Sequence, residues 1–150
     1  MEAAIYMVRE VWDAEIQERS KLGVVKGLLE GGCQSRCVDV GSKRIRRMLA
    51  KLRGGTAELR VETGRWNGLK KEERICKQCT MGEVENEEHF LLRCEGYAEE
   101  RKTIVGYMGE LVEGWQEMEA KKKLALVIDC ACTDGRMGRA IQKMWSSRFG

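Results

Sequence analysis

Proline is absent from these 150 residues, and histidine occurs once. The missing proline removes the commonest helix breaker. With 34 % charged residues and few β-branched runs, its absence favours helix over sheet. Seventeen glycines work the other way and limit how long a helix runs uninterrupted. Long apolar stretches are lacking too. The longest run without a charged side chain, Thr103 to Gly109, has seven residues, far short of a membrane span. The opening MEAAIYMVRE carries Glu2 and Glu10 and no long apolar core, unlike a secretory leader. There is no repeat, no P-loop, no glycine-rich dinucleotide turn, no His-Glu-x-x-His and no Gly-x-Ser-x-Gly. General acid–base chemistry would have to come from carboxylates alone, and none stands apart from the others.

What is present is a metal-ligand run. Cys76 and Cys79, then His89, then Cys94 read as Cys-x2-Cys-x9-His-x4-Cys. Three thiolates and one imidazole complete a tetrahedral set for one structural Zn2+, with no position left for a reacting water. Two residues between the first cysteines allow a tight turn whose N–H groups point at the sulfurs. The second pair lies in ENEEHFLLRC, which reads as a short helix. Asn86 is its expected N-cap, Glu87 and Glu88 fill its first turn, and Phe90, Leu91 and Leu92 give apolar cover. The x9 gap is longer than the x4 of the compact retroviral-type knuckle, so this is a different module. Cys33 and Cys37 form a Cys-x3-Cys pair, but no histidine is left to complete a second site. Ordinary thiols are the expectation there and at Cys130 and Cys132, reduced as befits an intracellular protein.

Charge is the second feature. The net value is only +3, yet between Lys43 and Arg74 eleven basic residues face four acids. SKRIRRMLAKLRGG reads as a helix capped by Ser42 and stopped by Gly54-Gly55. Ile45, Met48, Leu49 and Leu52 make its apolar stripe, while Lys43, Arg44, Arg46, Arg47, Lys51 and Arg53 occupy the rest with no acid among them. Such a face forgoes the i,i+4 pairs that a solvated helix gains, a cost that phosphates would offset. Arg60, Arg65, Lys70, Lys71 and Arg74 extend the basic block to the first cysteine, with turns marked at Gly64 and Gly68. Trp66 lies among them, placed either to stack a base or to pack on the neighbouring helix; packing is the expectation for so large a ring.

The chain therefore reads as mostly α, several helices around a small zinc-bound Cys3His module with a short β-hairpin or turn. Three segments are expected: an N-terminal helical segment (1–40), the basic helix with the zinc module and following helix (41–119), and a C-terminal helical tail (120–150). Within them, helical spacing predicts helix over 3–29 with a break, and a long helix from Tyr97 to about Glu119. A short helix follows over LALVIDCAC, then a turn at Asp134-Gly135. The last helix carries Met137, Ile141, Met144, Trp145 and Phe149 on one side, as core or docking face.

The stretch LRVETGRWNGLKKEERICKQCTMGEVENEEHFLLRCEGYAEER resembles the zinc-binding segment that follows the reverse transcriptase domain of non-LTR (LINE-type) retrotransposons. In that family a piece like Leu-Arg-Thr-Gly precedes a Cys-x2-Cys pair; Leu59, Arg60, Thr63 and Gly64 match it, widened here by Val61-Glu62. Glu85, Glu88, His89, Phe90, Leu91, Leu92 and Cys94 match the acidic run that follows, and Tyr97 and Arg101 the aromatic and arginine beyond it. The match covers roughly residues 43 to 101. No Tyr- or Phe-x-Asp-Asp polymerase motif is present, so the family's enzymatic activities do not carry over. The resemblance implies a non-catalytic, zinc-braced module that holds RNA or single-stranded DNA, inside the cell in nucleus or cytoplasm, with no membrane partner. Two other readings fit the helices: a protein-interaction or self-association module, and a retrotransposon-derived remnant without activity.

Overall fold

The structure, a computed structural model, describes residues 41–150 together with Val24, Lys26 and Gly27, these three helical. The rest of the helical region expected over 3–29 lies outside the described residues, as do Cys33 and Cys37. Ser42 opens the first fully described helix: its hydroxyl accepts the Ile45 N–H at 3.4 Å. Helix α1, Lys43–Arg53, then runs to Gly54, and Gly55 turns the chain with φ +62°, where a side chain would be strained. Helix α2, Arg60–Trp66, follows, and a single 3-10 turn, Lys71–Glu73, leads to the cysteines. A π-turn, His89–Arg93, and another 3-10 turn, Glu95–Tyr97, precede α3, Ala98–Leu111. Helices α4, Ala120–Thr133, and α5, Gly135–Phe149, complete the chain. The described residues contain no strand, only one antiparallel bridge between Ile75 and Val84. A mostly helical fold with a short hairpin-like turn is thus what forms. Among the described residues no helix is long and apolar enough to cross a membrane.

Three local expectations change. The long helix stops at Leu111, because Val112 is extended (φ −121°, ψ 110°) and Gly114 turns at φ +70°. Trp115 still reaches the core, from that turn rather than from a helix. Helix α4 starts earlier than its apolar run, taking Lys121 to Lys123 into its first turns. Gly64 does not turn the chain but sits buried inside α2. A Cβ there would lie 2.5 Å from Arg74 Cγ, so glycine is what lets Arg74 fold across the helix.

Packing follows from the apolar stripes. Ile45, Met48, Leu49 and Leu52 of α1 are buried, and α1 packs on α4 and α5. Helix α5 packs in turn on α3 and α4, through Met137, Ile141 and Met144. Gly138 sets one approach: a Cβ there would stand 3.2 Å from Ile45 Cγ2, so α5 and α1 come close at that point. The buried apolar residues from Val24 to Met144 form one core, so segments 41–119 and 120–150 share it.

Two carboxylates are buried, and each accepts hydrogen bonds. Glu62 accepts from Arg65 Nη2 (2.5 Å) and from the Trp66 indole N–H (3.0 Å). Glu85 accepts from the Arg60 backbone N–H (2.8 Å) and from Arg148 Nε and Nη2 (2.7 and 3.1 Å). It therefore joins the start of α2 to the end of α5. Of the cysteines on α4, Cys130 is a free thiol, whereas Cys132 is disulfide-bonded, so a reduced state throughout does not hold.

Two measurements check this packing. Leu49 is fully buried, and Leu49→Ala is expected to lower stability by about 2–5 kcal/mol in urea unfolding. A loss under about 1 kcal/mol would place Leu49 outside the core. Asp134 caps α5, accepting the Arg136 N–H at 2.7 Å, and takes a hydrogen bond from the Tyr107 hydroxyl. That hydroxyl, then the Arg136 N–H, holds its carboxyl down at about 2, against an ordinary 3.8. A depressed carboxylate stabilises the fold above its unfolded value, and loses that contribution as pH falls through its folded value. The stability gap between wild type and Asp134→Asn should therefore be full above about pH 4 and shrink towards pH 2. A gap constant over that window would remove the ion from the account.

Candidate metal centre

His89 and Cys94 are five residues apart, which sets a geometric problem. In an α-helix that spacing rotates two side chains about 140° apart, onto different faces. The chain solves it with the π-turn. The Cys94 N–H donates to the His89 carbonyl at 2.7 Å, an i→i+5 bond that brings Cys94 back above His89. Asn86 starts the turn as expected, its side-chain oxygen accepting the His89 N–H at 2.8 Å. Opposite, the Cys76 N–H donates to the Glu83 carbonyl (2.8 Å) and the Glu85 N–H to the Arg74 carbonyl (3.1 Å), closing the loop that carries Cys76 and Cys79. Within it the Gln78 N–H points at Cys76 Sγ, 3.4 Å away.

The four ligand atoms of Cys76, Cys79, His89 and Cys94 all lie within 4.8 Å of one another. Cys76 Sγ and Cys94 Sγ are 3.8 Å apart, and Cys79 Sγ is 3.4 Å from His89 Nε2. A tetrahedral ion with bonds of about 2.3 Å to sulfur and 2.0–2.1 Å to nitrogen spaces two sulfurs by about 3.8 Å, and sulfur from nitrogen by about 3.6 Å. A disulfide would need about 2.05 Å. The donor spacing therefore suits a bound cation and not a cystine, and this set could hold a metal ion. Burial pushes the Cys76 thiol up, and the Cys94 thiol up to about 12. A cation bound here must displace those protons.

The surroundings orient the ligands. His89 Nδ1 lies 3.0 Å from Glu83 Oε2. A carboxylate accepts, so Nδ1 is placed to donate to it, which leaves Nε2 turned to the Cys79 sulfur. Arg93 Nη2 meets the same Glu83 oxygen at 3.2 Å, and also reaches Glu88 at 3.3 Å. Arg101, buried, donates from Nε to the Leu91 carbonyl (3.0 Å) and from Nη2 to the Cys94 carbonyl. Gly96 leaves no room for a side chain: a Cβ would stand 2.4 Å from the Gln78 carbonyl oxygen. Its N–H points back at the Cys94 sulfur. Sequence reasoning does not single out Glu83, since nothing in its spacing sets it apart from Glu85, Glu87 and Glu88. Only the fold shows which acid meets the imidazole.

The basic residues separate into kinds. Lys43, Arg44 and Arg47 make no ion pair or hydrogen bond among the described residues, and with Lys51 they line one cleft. Lys51 pairs with Glu58 at 2.7 Å, and Arg46 donates to the Gly41 carbonyl at 2.7 Å. Arg53 is half-buried, with Nη1 3.9 Å from Cys132 Sγ. Arg60 is half-buried, Arg65 pairs with Glu62, and Lys70 and Lys71 are exposed. Arg74 turns inward, donating twice to the Leu69 carbonyl and once to that of Val61. Trp66 reverses the packing expectation. It is 61 % exposed, because it ends a seven-residue helix and its N–H is drawn back to Glu62.

Glu83→Gln is expected to lower metal affinity by about 10–100-fold, read by competition with a chromogenic chelator. Unchanged affinity would show that the carboxylate does not set the imidazole's orientation. No family model, curated protein or solved structure matches this chain.

Proposed function

We propose that the chain is a non-catalytic, zinc-stabilised nucleic-acid-binding module that takes RNA or single-stranded DNA. Zinc is the ion favoured by a tetrahedral set of three sulfurs and one nitrogen. With four protein donors it would brace the fold and leave no open position for chemistry. The observation that carries the binding half is the outer face of α1. Its Lys43, Arg44 and Arg47 have no partner among the described residues, while its inner face is locked into the core. Lys43 and Arg44 lie in the first turn of α1, which contains no acid, so these two cations also oppose the helix dipole. A fold that keeps charges in so unfavourable a place gains when an anionic polymer meets them. The resemblance to the zinc-binding segment of non-LTR retrotransposons supports the same reading, and an intracellular setting, nucleus or cytoplasm, goes with it.

Titration of labelled single-stranded RNA over a salt series tests this. Binding should weaken with salt along a straight log–log line. Lys43→Ala/Arg44→Ala/Arg47→Ala should flatten the slope by about 2, at about 0.7 per phosphate released on a single strand. A slope near zero in the wild type, or no binding at low salt, would reject the reading.

A further inference from the structure

A cleft of about 410 Å3 opens where α1 meets α5, within the ordinary 300–1,000 Å3 of ligand sites. Its walls are Lys43, Arg44, Arg47 and Lys51, and its apolar lining is Met48 and Trp145. Five of the six come from α1 alone. Lys43, Arg47 and Lys51 follow one another at i, i+4 and i+8, with Arg44 and Met48 in the adjoining row. The aromatic comes from the other helix, α5, about two turns beyond the point where Gly138 lets it approach Ile45. Trp145 is half-buried, its ring packed against Phe149 (centroids 4.4 Å) and edge-on to Phe90 (6.4 Å). The indole is thus fixed in place with part of it still turned to the cleft.

We propose that this cleft holds a single strand of nucleic acid, one base lying against Trp145 and its neighbouring phosphates on Lys43, Arg44 and Arg47. The inference rests on the nucleic-acid reading above and locates where contact is made. Cations spread over eight residues of helix cover about 12 Å, more than one phosphate and suited to a strand. Duplex bases are already stacked and cannot enter a cleft to meet a ring, whereas an unpaired base can. Trp66, the most exposed large apolar side chain among the described residues, is less suited: its indole N–H is tied to the Glu62 carboxylate, and it does not line the cleft.

Photocrosslinking separates these sites without altering Trp145. The full chain is bound to a short oligouridylate carrying 5-iodouracil, irradiated, digested and mapped by mass spectrometry. The adduct is expected on Trp145 and should fall about tenfold or more in Arg44→Glu/Arg47→Glu, whose two side chains are exposed and outside the core. If the oligonucleotide binds but the adduct forms on Trp66 or elsewhere, or not at all, the cleft is wrong and the nucleic-acid reading stands. An undiminished Trp145 adduct in the charge-reversed variant overturns the role of α1. Absence of binding by the wild type at low salt overturns both.

Discussion

The imidazole of His89 and the thiol of Cys94 must face one point although five residues separate them, and the local structure is arranged around that demand. An α-helix cannot meet it; a π-turn can, and the i→i+5 bond from the Cys94 N–H to the His89 carbonyl closes it. Widening the turn leaves carbonyls that a regular helix would have satisfied. Arg101 supplies the donors, reaching Leu91 and Cys94 together. Asn86 fixes where the turn starts, and Gly96 lets the chain pass against Gln78 directly after it. Each residue answers a hydrogen-bonding or steric requirement that the ligand spacing creates.

The same turn carries the core. Phe90 and Leu91 are fully buried, and Phe90 meets Tyr97 edge-on at 5.2 Å and Trp145 at 6.4 Å. Through Trp145 the line of aromatic contacts reaches α5, and α5 packs on α1. The ligand run and the basic helix, far apart in sequence, are therefore fastened to one hydrophobic body. Glu85 adds a polar tie between the returning loop, the start of α2 and Arg148 near the end of α5. A rigid mount matters for a row of like charges, because cations at i,i+4 repel by a few tenths of a kcal/mol each. The buried inner face of α1 holds that row in register despite the repulsion.

Much of this was readable from residue order, and the reasons differ by element. Helix α1 announces itself through a cap, an apolar stripe and a glycine stop, all local signals, and each holds: Ser42, Ile45 to Leu52, Gly54. The four ligands are readable because their types and spacing leave little freedom, and they do converge. The π-turn is not readable, since HFLLR has ordinary helical composition and only the need to align both ligands widens it. Trp66 misleads because burial statistics describe an average tryptophan, and this one ends a short helix with its indole N–H drawn back to Glu62. Glu83 and the Trp145 face of the cleft are contacts between segments, invisible to periodicity. Glu85, Tyr97 and Arg101 likewise show their roles only in the fold: an ion-pair hub, an aromatic packed on Phe90, and a carbonyl clamp.

Arg101 raises a further electrostatic question. It is buried and burial works against its charged form; among the described residues its hydrogen-bond partners are two carbonyls, and the Glu100 carboxylate favours its charge without an ion-pair contact. A lone guanidinium in such a place costs several kcal/mol unless something nearby carries the opposite sign. Under the zinc reading the centre supplies that sign. Three thiolates against a divalent ion leave one net negative charge, and Arg101 donates to the backbone of Cys94, one of the three. The thiols and the guanidinium then solve each other's problem. The ion keeps the sulfurs anionic, the anionic centre keeps the arginine charged, and the charged arginine holds the carbonyls that the π-turn leaves free. With protonated thiols the guanidinium would have the carbonyl dipoles and the neighbouring Glu100 carboxylate to set against its desolvation. A charged centre at Cys76, Cys79, His89 and Cys94 would therefore add to Glu100 in offsetting the cost of burying this arginine, which touches none of their ligand atoms.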